Sequence, residues 1–372
     1  MDMPPGMSDS SVSGTSRMNI VYALSGEGRG HASTARSVLP VLESAGHRVK
    51  VLTYGRSVGL LPGCDLREIR GIRHHYTRAG RLSVLKSLVG NLGVLWYYLT
   101  NWLLLRRELQ AFAPDLFIVN FEPLTPLLAR SLGVPFISFD NQHALVFLDQ
   151  RVLPGFRLSS LITRTAVRLV AAGADAFVVM SFLSGGRYPG RVNVVAPVVQ
   201  EEFRRLRPEN GDYVLVYLKE PNPQLLQVLR QIDERFVVYG YNIGAEEGNV
   251  TFRVFNESMP KELAGCKAAI GTSGLSFISE AIWLKKPFFG VPLKNEFEQT
   301  ANAIFIKEAG LGTFSEQPAR VEIEGFLLSL DRYRAALAEF RFDPDAAGRA
   351  LLALADGDLA RRRQPTPAAS NA

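Results

Sequence analysis

The strand-like run 18–24 passes directly into Ser25-Gly26-Glu27-Gly28-Arg29-Gly30-His31, then into an apolar-periodic helix over 32–45, a stop at Gly46 and a second strand over 47–53. This order restricts the architecture sharply. A strand, a glycine turn, a helix and a strand make the opening unit of a doubly wound α/β sheet. In such sheets ligands bind outside the carboxyl ends of the strands, where the glycine turn and His31 stand.

The alternation continues along the chain. Strands are expected at 114–120, 134–139, 174–180 and 192–196, with helices at 126–132 and 158–172 between them. Residues 197–212, of mixed charge with Pro208 and Gly211, have the composition of a linker. A second set follows: strands at 213–218, 235–239, 250–255 and 267–271, a helix at 223–231 and a helical turn at 261–264. At 372 residues the chain is too long for one ordinary core. We therefore expect two doubly wound domains, 18–200 and 201–331, facing one another across a cleft, with 332–356 packing back on the first. The polar ends, 1–17 and 357–372, read as disordered, and the first lacks the apolar core of a secretory signal.

Composition narrows the partners only coarsely. An excess of 42 Lys+Arg over 36 Asp+Glu gives a formal charge of +6, which favours anionic ligands or surfaces. Cys64 and Cys266 lie too far apart to suggest a metal site or a disulfide framework, so a reducing cytoplasm is expected. Asp343-Pro344-Asp345 reads as a helix cap rather than a metal pair, and no metal is expected. The segment 82–109 is unusual. No charge occurs from Leu88 to Leu105, aromatic residues Trp96, Tyr97, Tyr98 and Trp102 sit within it, and arginines flank it. It suits a helix lying in a membrane interface, or one buried against the sheet with its aromatics in the core.

Three places carry candidate chemistry. The first glycine loop runs G-x-G-x-G-H, not the dinucleotide G-x-G-x-x-G, and no acidic residue closes the second strand, which argues against a nicotinamide site. His31 either caps the helix or takes a proton from a hydroxyl, a task its ordinary pKa near 6.5 suits. Asp140, Asn141, Gln142 and His143 follow a strand and face the same edge if the sheet is parallel. Finally, 271–310 runs from the small-residue turn Gly271-Thr272-Ser273-Gly274 through a helix carrying Glu280, a short strand closed by Pro292, and Glu298-Gln299 opening another helix. The turn frees backbone N–H groups at a helix start, where a diphosphate is favoured.

Gly30-His31, the segment 138–143, and the order Gly274…Glu280, Pro287, Pro292, Gln299-x-x-Asn302-Ala303 together resemble glycosyltransferases of the GT-B fold. The likeness is to the bacterial enzymes that add N-acetylglucosamine to the lipid-linked peptidoglycan precursor and, more distantly, to the UDP-glycosyltransferases. The resemblance implies an inverting, metal-independent transfer from a nucleotide-diphosphate sugar, a substrate rather than a cofactor, to an acceptor hydroxyl. Residue by residue it implies His31 as base or acceptor-positioning group with Asp140 orienting it, and Gly28, Gly30 and His143 in the acceptor loop. Ser273, Gly274 and Leu275 would hold the diphosphate, Glu280 the ribose, Glu298 and Gln299 the sugar, and Asn302 the supporting loop. Glu298 departs from the Gln or Asp of these relatives and leaves the sugar open. A lipid-linked acceptor and a peripheral position on the inner membrane face follow if 82–109 lies in an interface; no nucleic-acid partner is implied. The same fold also serves UDP-amino-sugar 2-epimerases and could serve a non-catalytic nucleotide-sugar-binding subunit.

Overall fold

The structure, a computed structural model, describes residues 17–27, 29–72, 90–148, 157–182, 188–256, 258–294 and 296–357. The expected disordered ends fall outside these residues except for Arg17 and Gly357, as does the first part of 82–109. Two sheets of seven strands make the frame. The first contains β1 (Asn19–Leu24), β2 (Arg48–Thr53), β3 (Asp65–Glu68), β4 (Leu116–Asn120), β5 (Phe136–Asp140), β6 (Ala176–Met180) and β7 (Val192–Val195). Its order is β3-β2-β1-β4-β5-β6-β7, parallel throughout. The second contains β8 (Tyr213–Tyr217), β9 (Arg235–Tyr239), β10 (Ala245–Glu247), β11 (Val250–Arg253), β12 (Ala268–Gly271), β13 (Phe288–Gly290) and β14 (Gly312–Phe314). Its order is β10-β11-β9-β8-β12-β13-β14, with only β10 antiparallel.

Strand direction explains the composition of the strands. Those covered by helices on both faces are apolar, as in β6 (AFVVM) and, but for its last residue Asn120, β4 (LFIVN), every residue of which is buried. Edge strands escape this rule. β3 (DLRE) is polar and half-exposed, and β14 is three residues long, so neither carries the apolar run that marks a strand in sequence.

Helix α1 (Gly30–Ser44) joins β1 to β2 on one face of the first sheet. On the other face lie α2 (Leu92–Phe112), α3 (Thr125–Leu132) and α4 (Arg157–Val170). Leu109 of α2, Leu128 of α3 and Ala171 just past α4 share one core with Phe117 and Val119 of β4. The expectation of a helix buried against the sheet is met for one end of α2 only. The C-terminal end of α2 is buried through Leu105, Leu109 and Phe112, while Trp96, Leu99 and Leu103 are 69%, 69% and 65% exposed.

The second sheet carries α5 (Pro223–Leu229), α6 (Met259–Gly265), α7 (Leu275–Trp283), α8 (Phe297–Glu308), α9 (Arg320–Leu328) and α10 (Leu330–Glu339). The segment expected to return to the first domain as one piece divides. Leu330, Tyr333 and Leu337 of α10 are buried in the second domain's cores. Only α11 (Ala346–Asp356) crosses over, burying Ala347, Leu351 and Ala355 with Leu39 and Leu42 of α1. Gly348 permits that crossing, since a Cβ there would come 3.2 Å from the Val41 side chain. Asp345, at the start of α11, makes no side-chain cap, while Asp343 Oδ1 accepts from Asp345 N at 2.9 Å. Asp345 instead receives two hydrogen bonds from Arg204 at 2.8 Å each, and Asp343 pairs with Arg349, which anchors the crossover to the 197–212 segment.

Leu351 is fully buried, so Leu351→Ala is expected to cost about 3 kcal/mol by removing its contacts and leaving a cavity. Urea unfolding would check this; an unchanged midpoint would mean that α11 is not integral to the first core.

Candidate active site

A cleft of about 900 Å³ lies between the carboxyl edges of the two sheets, lined from both. In each sheet it opens at the point where strand order reverses. In the first, the chain leaves β1 for β2 on one side while β4 pairs on the other, and Leu24 of β1 stands beside Asn120 of β4. In the second, Tyr217 of β8 stands beside Gly271 of β12, whose turn leads into α7. These reversals are the crevices where doubly wound sheets receive ligands.

His31, half-buried in the first turn of α1, contacts Asn120 through Nδ1 at 2.6 Å. The amide oxygen of Asn120 only accepts, and its nitrogen contacts the Tyr22 hydroxyl at 3.3 Å. Nδ1 of His31 must then carry the proton, which leaves Nε2 as the acceptor. The ring also stacks parallel to Phe121, a residue held in the left-handed region at φ 54°. Burial lowers the pKa of His31 below the ordinary value, opposed by the Asn120 hydrogen bond and by the charge of Asp140. A neutral imidazole is what a proton acceptor requires.

Asp140 is not the group that orients His31. Its oxygens take a backbone hydrogen bond from His143 at 2.9 Å, a ring contact from His143 Nδ1 at 2.8 Å and the Ser138 hydroxyl at 2.8 Å. These partners hold its pKa low against the cost of burial. His143 is likewise no acceptor contact: it is 1% exposed and packs on Phe147 and Phe177, because the turn after β5 folds it inward onto Asp140. Asn120 takes the orienting role that sequence assigned to Asp140. The signal for it was a polar residue closing an otherwise apolar strand. Gly28 lies outside the described residues. Gly30 brings its loop against the donor side, for a Cβ there would come 3.3 Å from Ser276 Oγ.

Across the cleft, α7 starts at Gly274, which is extended and supplies no side-chain cap. Its first N–H groups and dipole make an anion site of nine-residue length. Gly274 and Leu275 line the cleft. Ser273 does not present its hydroxyl there. It is fully buried, and its Oγ approaches the Cβ position of Gly290 at 2.7 Å, while its carbonyl accepts from Asn302 Nδ2 at 3.0 Å. Its part is to shape the turn.

Glu280, on the cleft side of α7, is 6% exposed and accepts from Gln200 Nε2 at 3.1 Å. Glu298 opens α8 and is held by the first domain, accepting from Asn141 Nδ2 at 2.6 Å and Gln142 Nε2 at 3.2 Å. Burial raises its pKa, opposed by the Asn141 bond. Gln299 uses its side-chain oxygen to accept from Leu293 N at 3.0 Å, steadying the loop before α8, and still lines the cleft. Gln200, Asn141 and Gln142 were not assigned these contacts from sequence because each crosses from another element.

A family model, glycosyl transferase family 1, matches residues 18–331, from β1 through the first residues of α10. The chain belongs to that family. It is a glycosyltransferase of GT-B architecture, two parallel-sheet α/β domains about a cleft. No curated protein sequence matches it. Among solved structures it is similar to the glycotransferase of kitacinnamycin, at 15% identity and TM-score 0.62 over 94% of this chain and 99% of that one. MurG of Acinetobacter baumannii shares 18% identity at TM-score 0.58, over 91% and 99%. The glycosyltransferase VinC, solved with dTDP, shares 16% at 0.58, over 92% and 99%. At these identities the likeness is one of fold, and the chemistry rests on the residues above.

Burial pushes the pKa of Glu280 up to about 8, opposed by the Gln200 hydrogen bond and Arg36 and assisted by Glu202. In the unfolded chain the same group ionises near 4.5. Its contribution to stability is therefore full below that value and is lost as pH rises toward 8, by up to about 1.4 kcal/mol per pH unit. Urea unfolding of the wild-type protein and Glu280→Gln should show the wild type losing stability relative to the variant between pH 5 and 8. Parallel pH profiles would remove the raised pKa.

Proposed function

We propose that this glycosyltransferase moves a sugar from a nucleoside-diphosphate donor to an acceptor hydroxyl by a single inverting displacement that calls on no metal. One observation carries the reading: His31, its Nδ1 proton directed at Asn120, and the uncapped start of α7 open into the same cleft from opposite domains. Nε2 of His31 takes the acceptor proton as the acceptor oxygen attacks the anomeric carbon. The diphosphate leaves on the far side toward Gly274, where backbone N–H groups and the helix dipole receive its charge, with Lys219 lining the same cleft. A single displacement inverts the anomeric centre. Glu280 accepts from the ribose hydroxyls, and Glu298 with Gln299 reads the sugar.

The acceptor is lipid-associated in this reading. Leu92, Trp96, Leu99 and Leu103 recur at helical spacing on the exposed face of α2, where a water-facing helix carries polar residues. Leu127 on α3 and Leu161, Ile162 and Leu169 on α4 extend the apolar surface over the same sheet face. Exposed Arg107 and Arg168 lie among them and complement an anionic bilayer. No helix among the described residues is long and apolar enough to cross a membrane, so the contact is with its surface.

Substitution of the base and of its partner separates the roles. His31→Ala is expected to lower kcat by about 100-fold or more while leaving donor binding in place; wild-type transfer in that variant would remove the assignment. Asn120→Asp puts a carboxylate on Nδ1, so the acidic limb of the kcat/KM profile should move to higher pH. Product analysis by NMR should show the inverted anomer. Phosphatidylglycerol vesicles should sediment the wild-type protein at low salt and release the Leu99→Glu/Leu103→Glu variant. Failure of the wild type to bind overturns the lipid-associated acceptor.

A further inference from the structure

Arg29 stands two residues before His31 in the acceptor-side glycine loop, yet its guanidinium carbon lies 3.4 Å from the centre of the Phe255 ring on the donor side. The backbone makes this reach possible. Gly30 lies against the first turn of α7, within 3.3 Å of Ser276 Oγ for any added Cβ, so the loop ends beside the helix start. Tyr217, whose carbonyl accepts from Thr272 N in the turn before α7, is near enough to act electrostatically on Arg29. The guanidinium is thus at the carboxyl ends of β8 and β12, where the second sheet reverses.

Its charge is not answered there. Among the described residues no carboxylate forms an ion pair with Arg29, and the other charged neighbour acting on it is a second cation, Arg56. Stacking on Phe255 holds the planar fork in place and uses the ring face, not the N–H donors. This exposed guanidinium, held on a ring face, with donors that meet no partner among the described residues, beside an uncapped helix start and near a second arginine, fits a doubly charged phosphate ester.

We infer that Arg29 binds the diphosphate of the sugar donor and supplies, from the acceptor side, the cation that meets the leaving group. The inference rests on the donor reading proposed above. In the transfer step the acceptor O–H bond breaks and its proton passes to His31 Nε2. The new C–O bond forms at the anomeric carbon, and the bond to the β-phosphate oxygen breaks with its electron pair leaving on the nucleoside diphosphate. Arg29 changes no bonds and neutralises the charge that appears. Base and leaving-group cation then sit on one short loop, so the two ends of the reaction are aligned only when that loop touches α7.

Calorimetric titration with UDP and dTDP, their monophosphates and their nucleosides would test this on the wild type, Arg29→Ala and Arg29→Lys. Arg29→Ala should weaken the diphosphate by about tenfold or more, leave monophosphate and nucleoside affinities unchanged, and lower kcat by about 100-fold. Arg29→Lys should recover part of both. Equal losses for diphosphate and nucleoside would make Arg29 a base-stacking residue and overturn the inference, as would wild-type diphosphate affinity and kcat in Arg29→Ala. If the wild-type protein binds none of these nucleotides, the donor reading itself falls, which is a distinct result.

Discussion

Parallel strands joined by helices cannot fill the space where their order reverses, and this protein sets two such gaps face to face. Neighbouring crossovers run to opposite sides at that point, so the carboxyl ends of β1 and β4, and of β8 and β12, are left uncovered by helix. Whatever occupies these ends must satisfy exposed backbone groups. On one side the occupant is a histidine braced by an asparagine; on the other it is a helix start without a cap. The cleft is therefore a consequence of topology, and its chemistry is a matter of which few residues stand at four strand ends.

Contacts across the cleft are both polar and apolar. Asn141 and Gln142 reach Glu298, Arg29 covers Phe255, and Arg36 pairs with Glu202 at 2.8 Å. Single polar pairs of this kind contribute about 1 kcal/mol or less when solvent can reach them. Apolar support comes from Leu145 with Phe297 and Ala301, from Leu275 against the first core, and from Phe182, which packs on Phe305, Phe340 and Phe342. Together these contacts hold the two sheets in register about the cleft. The Glu298 contact has a further meaning: the residue proposed to read the sugar is positioned by the opposite domain.

Much of the frame was legible because buried parallel strands must be apolar throughout and crossover helices must be amphipathic. Each strand of the first sheet except β3 was expected close to its observed bounds, and β3 and β14 escaped because an edge strand of three or four residues needs no apolar pattern. The location of the candidate site was legible in part. A glycine turn before a helix, or a carboxylate inside an apolar helix, is unusual on its own, and the four residues that local order singles out, His31, Gly274, Glu280 and Glu298, all line one cleft. Asp140 and His143 misled, because two groups at the right strand end look alike in sequence whether they face the cleft or each other. Ser273 misled in the same way: a turn's residues are known from spacing, but which of them points inward depends on the dihedrals at Gly274.

By itself the sequence determined two doubly wound sheets and the strand ends at which candidate residues stand, and it left the aromatic segment open between an interfacial and a buried helix. Tertiary structure alone decided the distant pairings: Asn120 with His31, Gln200 with Glu280, and Asn141 and Gln142 with Glu298. The physical reason is one of range. Hydrophobic periodicity and turn chemistry are properties of neighbouring residues and are written locally, whereas these hydrogen bonds join residues from 80 to 157 positions apart, such as Gln200 and Glu280 or Asn141 and Glu298. Only the packing of both domains brings such partners within reach.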